Sequence, residues 1–300
     1  ANTYSEIILG LPGDSLVGHK KSLEIIINAK YSFVLSWQLV VLKGTEIDDD
    51  KTRKEFKLQT KHRVLNKSYG NYELKNSKNL AVAEIEEIVV GGKDLSFDDY
   101  LNARVYHLII NIFYNDNFLY TFMKILDDFE INRSEWINEI SSQCIKDKKI
   151  NSLLEDFKNE TKSELWDNKE DVIKFVSKSE NIKKFINGEY GANLLAKYRI
   201  IGVSKFMKEI LNIAKNSTKE ILNKKNIFLK KLNLEKFLQE VEKFEYLKKK
   251  EFFVPDLTDD KSFFEYDIIK FLNKDTRLND FSKKINQNIK FYRKDSSNKI

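Results

Sequence analysis

One pattern between Tyr4 and Thr45 restricts the fold more than anything else in the chain: apolar run, glycine turn, amphipathic stretch, second apolar run. The first run, Tyr4 to Leu9, ends in Gly10-Leu11-Pro12-Gly13, a turn signal. Asp14 and Ser15 follow, with side-chain oxygens suited to cap the free amides of a helix's first turn. The spacing predicts a helix from Leu16 to Ala29 that buries Leu16, Leu23, Ile26 and Ile27, then a strand from Phe33 to Leu42 closed by Gly44-Thr45. Strand, helix and strand within about 40 residues is the size of a βαβ unit, which implies parallel strands and a right-handed crossover.

Such a turn has chemical potential. Glycines let a ligand approach the backbone, and the free amides and dipole of a helix start favour polar or anionic groups. A second strand alongside would line the same edge, where α/β proteins bind ligands. An ordinary strand-to-helix connection has the same spelling, so the residues leave both readings open.

Past Thr45 the pattern is mixed. Asp48 to Leu65 reads as a polar helix, Asn66 to Asn79 as a loop, and Ala83 to Val90 as a strand ending at Gly91-Gly92. Ser96 with Asp99 three residues on resembles a capping box opening a helix that runs through Ile112. Beyond Asn132 the strand signals fade. Phe206, Ile210, Ile213 and Ile221 share one helical face, and Leu234, Phe237, Val241, Phe244 and Leu247 alternate by three and four before a break at Val254-Pro255. The expected organisation is an α/β portion over residues 1–132 and an α-helical domain over residues 133–300.

The segment Glu6-Ile7-Ile8-Leu9-Gly10-Leu11-Pro12-Gly13-Asp14-Ser15 resembles the fifth strand of radical S-adenosylmethionine (SAM) enzymes, above all methylthiotransferase-like and cobalamin-binding members. There it is spelled D-x-I-x-G-x-P-G-E-T. Ile8, Gly10, Pro12 and Gly13 match directly, and Glu6, Asp14 and Ser15 are close substitutions. Val41-Leu42-Lys43-Gly44-Thr45 is similar to the end of the sixth strand, P-L-x-G-T, without its proline. Lys61-His62-Arg63-Val64-Leu65 and Glu84-Ile85-Glu86-Glu87-Ile88-Val89 are more weakly similar to the region beyond the core in cobalamin-binding members. The likeness is good over residues 4–47 and fades by Asn115.

The resemblance implies the last βα units of a partial, TIM-like (β/α)6 barrel that binds SAM at the C-terminal ends of its strands. Ile8, Leu9 and Gly10 would lie near the adenine, with Gln38, Leu39 and Val40 bounding its other side, and Gly13 would belong to the same SAM-binding turn. It also implies a CxxxCxxC loop holding a four-iron–four-sulfur cluster, and it leaves the use of cobalamin open. The chain departs from the family here: Cys144 is its only cysteine, so the cluster is expected outside this chain. The first four strands are missing as well. The chain therefore reads as a C-terminal fragment, inactive alone, whose expected partner is the N-terminal part of the same protein. The competing expectation is a non-catalytic α-helical interaction protein with a structural βαβ unit, and a third is a phosphate or nucleotide site at the Gly10–Ser15 turn.

Other features carry less chemistry. Ser15 and His19, four apart, read as a cap and a surface residue, because no third group evidently orients the histidine. His19, His62 and His107 lack metal-ligand spacing. Glu84, Glu86 and Glu87 read as the solvated face of a strand, and Cys144 as a small buried residue. Lysine exceeds glutamate by eleven to five between Lys215 and Lys250. Interleaved glutamates and the absence of arginine there favour a solvated helix face, so nucleic acid is not an expected partner. No run approaches the roughly 20 apolar residues of a membrane helix, one cysteine allows no internal disulfide, and the expected compartment is the cytoplasm.

Overall fold

The computed structural model describes residues 3–73, 79–227, 229, 232–254, 259–273, 276–278 and 284–292. In chain order the elements begin with β1 (Tyr4–Leu9), α1 (Leu16–Asn28), β2 (Phe33–Gln38), α2 (Asp50–Glu55), β3 (Gln59–Glu73), β4 (Asn79–Gly91) and α3 (Phe97–Phe113). A helical run follows: α4 (Tyr120–Asp128), α5 (Arg133–Lys146), α6 (Lys148–Ser163), α7 (Lys169–Val176), α8 (Ser179–Ile186), α9 (Leu194–Lys224) and α10 (Leu234–Lys249). The last elements are β5 (Asp260–Tyr266), α11 (Ile268–Phe271) and β6 (Lys284–Phe291). The fold is mixed α/β and mostly helical, with small sheets. No helix among the described residues is long and apolar enough to cross a membrane.

Two compact units interleave along the sequence. One holds residues 1–26, 34–108 and 154–198; the other holds 27–33, 109–153 and 199–300. Residues 109–132 thus group with the later helices and the β5–β6 pair, and residues 154–198 with β1 to β4.

In the strand-bearing unit β1 and β2 are sheet neighbours. The chain just past β2 runs onto β4: the amide of Val41 donates to the Glu87 carbonyl at 2.8 Å, and that of Val89 donates to Leu39 at 2.9 Å. β3 and β4 form an antiparallel hairpin that sets Arg63 opposite Glu86 and Val64 opposite Ile85. His62 on β3 exchanges two 2.8 Å backbone bonds with Trp166, which covers part of an edge that would otherwise expose pairing groups. Leu9, Ile88, Val90, Leu95, Tyr100 and Leu101 make one core cluster, and Val64 joins Val172, Val176, Ile182 and Phe185 in another.

The predicted helix at Leu16 is present, with Leu23 and Ile27 fully buried and Leu16 and Ile26 half-buried. The capping box at α3 is complete. The Ser96 hydroxyl meets the Asp99 carboxylate at 2.7 Å and accepts the Asp99 amide at 3.1 Å, while the Ser96 amide donates back to Asp99 at 3.3 Å. In the other unit Ile210, Ile213 and Ile221 are buried as the periodicity requires, with Phe206 half-buried. Phe237 and Phe244 of α10 are also buried. They make edge-on contacts with Tyr266, Phe271 and Phe264, which seats the β5–β6 hairpin against the helix.

Three expectations are corrected. Asp48 to Leu65 is not one helix: α2 ends at Glu55 and β3 begins at Gln59. The Asn66–Asn79 segment is not a loop over its described part, because β3 continues through Tyr69–Glu73 paired to Asn79–Ala83; residues 74–78 lie outside the described residues. The reason is that β3 carries polar residues on both faces and is held by cross-strand partners, with a register shift between Val64 and Tyr69 that breaks any period of two. The region beyond Asn132 is not purely helical either, since β5 and β6 pair there. Pro255 lies outside the described residues.

Ser96→Ala should lower the unfolding free energy by about 1 kcal/mol, since a lost N-cap leaves first-turn amides unmet. Urea denaturation at neutral pH reads this as a lower midpoint with an unchanged slope.

Candidate functional site

Gly10 and Gly13 both have positive φ, 95° and 81°, a region open to glycine and costly for other residues. A side chain at Gly10 would also come within 3.2 Å of the Val89 carbonyl. Asp14 closes the turn: one carboxylate oxygen accepts the Gly10 amide at 3.1 Å and the other accepts the Ser15 amide at 2.9 Å. The Ser15 hydroxyl accepts the Gly18 amide at 3.1 Å. The turn thus satisfies these amides itself, and a phosphate here would have to displace the Asp14 carboxylate.

His19 is not a surface residue. It is 2% exposed, and its Nδ1 sits 3.3 Å from Asp14 while its Nε2 lies 2.8 Å from Nε2 of His107, itself 2% exposed. The groups that orient it are therefore Asp14 and His107, one reached within the turn and the other across 88 positions of sequence. Both ring nitrogens are engaged away from Ser15, so no nucleophile–base pair forms. Burial pushes the Asp14 carboxyl up, but the bonds from His19 and from the Gly10 and Ser15 amides outweigh it and hold the group below its ordinary value. Burial, together with Arg104 and His19, pushes His107 well below the ordinary imidazole range.

A cluster of half-buried and buried charge lies elsewhere in the same unit. Arg63 of β3 donates through Nε to Glu86 at 2.7 Å, through Nη1 to Glu164 at 3.4 Å, and through Nη2 to the side-chain oxygen of Gln38 at 2.9 Å. Burial alone would weaken the Arg63 charge, yet Glu164 and Glu86 raise its affinity for the proton overall. Burial lifts Glu164 above the ordinary carboxyl value even with Arg63 and Arg104 near. Arg104 of α3 is 4% exposed and stacks its guanidinium 5.7 Å from the Phe157 ring. These groups line a cavity of about 310 Å³, which includes Gln38, Val40, Arg63, Glu86, Arg104 and Glu164. A second cavity of about 440 Å³, walled by Trp166, Phe175, Phe185 and Tyr190, shares Arg63, Val64, Glu164, Gly191 and Leu194 with the first.

Of the residues singled out in the sequence, Gln38 and Val40 line the charged cavity. Leu9 is fully buried in the core and Gly10 is buried beside Val89, Leu39 is half-buried, and Ile8 and Gly13 are exposed. Glu86 and Glu87, read as a solvated face, are instead half-buried and paired with Arg63 and Arg53. Arg63, Arg104 and Glu164 were missed as a group. Nothing local marks them, since Arg63 and Glu164 stand among other polar residues, and 60 positions separate Arg104 from Glu164.

Cys144 is fully buried and burial raises its thiol pKa, so it is a packing residue. Among the described residues no group of three His, Cys, Asp or Glu could hold a metal ion. Several described lysines of the basic stretch form ion pairs, among them Lys215–Glu242 at 2.7 Å, Lys225–Glu135 at 2.8 Å and Lys250–Asp260 at 3.1 Å. Comparison of the chain with protein-family models and with curated proteins returns no match.

His107 sets a pH dependence. Unfolded, it takes up a proton as pH falls through the ordinary value of 6.5, while the folded protein does not. Its contribution to stability is therefore complete above pH 6.5 and is lost as pH drops below it, by at most about 1.4 kcal/mol per pH unit. Urea unfolding at pH 7.5, 6.5 and 5.5 should show this decline, and His107→Gln should flatten it.

Proposed function

We propose that this chain is the C-terminal part of a radical SAM enzyme: it supplies the last two strands of a partial (β/α)6 barrel, completes the SAM pocket and shapes substrate access. The observation that carries the reading is the order strand, two-glycine turn, capped helix and neighbouring strand, at the spacing the resemblance requires. A cavity lined by Gln38 and Val40 lies where the second strand ends.

The residues fit SAM in part. Ile8, two residues before Gly10, is 40% exposed and Val40 is half-buried, so both offer apolar surface to an adenine ring. The Leu9 side chain belongs to the core, so its share in such a pocket is through backbone alone. Gln38 already holds Arg63, which fixes its amide rather than freeing it for a ligand. The residues do not fit an iron–sulfur cluster: the single cysteine is buried. The cluster, and cobalamin if it is used, then belong to the N-terminal part, and the chain alone has no radical activity. In such enzymes cluster-bound SAM supplies a 5′-deoxyadenosyl radical.

Reading the coding sequence upstream of the Ala1 codon is the first test, with an in-frame CxxxCxxC expected. In the polypeptide made from that complete frame, Gly13→Val should weaken SAM binding at least tenfold by calorimetry. Nothing lies within 4 Å of a side chain built at Gly13, so only the positive φ opposes it, at roughly 1–2 kcal/mol. Unchanged SAM affinity, or a frame without the cysteine motif, overturns the reading and gives the lead to the helical interaction protein.

A further inference from the structure

The larger of the two cavities combines an excess of negative charge with an aromatic wall. Three of its lining residues are carboxylates, Glu160, Glu164 and Glu189, and one is a cation, Arg63. Two of these four charges are answered elsewhere. Arg63 gives its shortest bond, 2.7 Å, to Glu86 of the smaller cavity, and Glu160 accepts from Lys197 at 2.6 Å and from the Tyr198 hydroxyl at 2.8 Å. The other two are not. Glu164 receives one long contact, 3.4 Å from Arg63 to Oε1, and its Oε2 accepts no hydrogen bond among the described residues. Burial raises the Glu164 pKa in spite of Arg63 and Arg104 nearby, so its charge is only partly offset. Glu189 is exposed, and its side chain has no hydrogen-bond or ion-pair partner among the described residues.

Trp166, Phe175, Phe185 and Tyr190 supply the apolar lining. Their rings meet at angles from 44° to 79°, with centroids 5.5 to 6.5 Å apart, so they present facets rather than a flat stack. An aromatic face attracts a cation through its quadrupole, and a carboxylate beside it adds a charge partner. The chain already places one cation at this wall: Lys184 Nζ lies 5.6 Å from the Tyr190 ring centroid, although Lys184 does not line the cavity. A volume of about 440 Å³ falls within the range of small-molecule sites. The same carboxylates oppose an anionic ligand.

We infer that this cavity binds a small organic amine in its ammonium form, the charge met by Glu164 and Glu189 and the apolar body laid against the Trp166, Phe175, Phe185 and Tyr190 rings. This does not depend on the SAM reading, since none of these residues belongs to the Gly10–Ser15 turn or to the end of β2.

Isothermal titration calorimetry of the chain at pH 7.5 with 3-phenylpropan-1-amine tests it. The controls are 3-phenylpropan-1-ol and 3-phenylpropanoate, which keep the body and carry no charge or the opposite one. The amine should bind at least tenfold more tightly than the alcohol, and the acid more weakly than either. Glu189→Gln should cut the amine's affinity at least threefold and Glu164→Gln at least tenfold, with the alcohol's affinity unchanged in both. Glu189 is exposed and has no partner to lose, so its variant keeps the test decisive even where loss of the Arg63 contact unfolds Glu164→Gln, which far-UV circular dichroism reports. Tyr190→Leu, which keeps apolar bulk and removes the ring, should weaken the amine at least threefold more than the alcohol. Equal binding of amine and alcohol, binding of neither, tighter binding of the acid, or full retention of the preference in Glu189→Gln and in folded Glu164→Gln overturns the proposal. SAM is also an organic cation: if it displaces the amine and Glu164→Gln weakens both by the same factor, the ammonium is that of SAM and a separate amine site is overturned.

Discussion

Arg63 sits within β3 with each guanidinium nitrogen held by a different stretch of chain: Glu86 on β4, Glu164 just past α6, and Gln38 at the end of β2. Much of the strand-bearing unit is arranged around keeping that charge answered. The pairing fixes the β3–β4 register, because Arg63 and Glu86 lie directly opposite. It also ties the Glu164 segment to β3, next to the two backbone bonds between His62 and Trp166. Removing one partner of a largely buried ion pair costs about 3–5 kcal/mol. Slipping the hairpin by one residue would break the pair and turn Val64 out of its cluster at the same time.

The same arrangement explains why the unit holds cavities rather than a continuous core. Charges held in place by mutual hydrogen bonds cannot be packed over by apolar side chains without losing those bonds. The apolar clusters therefore lie to either side, one around Leu9, Ile88 and Tyr100 and one around Val64, Val172 and Phe185. The Asp14–His19–His107 chain follows a similar rule on a smaller scale. With Nδ1 of His19 donating to the ionised Asp14, its Nε2 can accept from His107, which leaves Nδ1 of His107 bare. That atom has no partner among the described residues, and an imidazole nitrogen without a hydrogen is cheaper to bury unmet than one with.

How much was legible in the sequence depended on distance along the chain. The Gly10–Ser15 turn, α1, the Ser96–Asp99 cap and the apolar faces of α9 and α10 were readable, because each is written within about four residues. β3 was not, because its charges lie opposite partners on another strand and look locally like a polar helix and a loop. The β5–β6 hairpin was missed for a milder reason: the buried alternation of Phe264 with Tyr266 and of Ile289 with Phe291 is short and set in a lysine-rich tail. Of the candidate site, Gln38 and Val40 were named from resemblance alone, and neither Arg63 nor Arg104 was visible as part of a site.

By itself the sequence determined the local hydrogen-bonding economy of the chain: which amides a nearby Asp or Ser could cap, where only glycine could turn, and which helix faces had to be covered. The tertiary structure alone decided which charges met. Arg63, Glu86, Arg104 and Glu164 span 102 positions from first to last, and nothing local distinguishes them from the many exposed charges around them. The physical reason is that backbone conformation and capping act over a few bonds, whereas the cost of burying a charge depends on what the fold brings within about 4 Å of it.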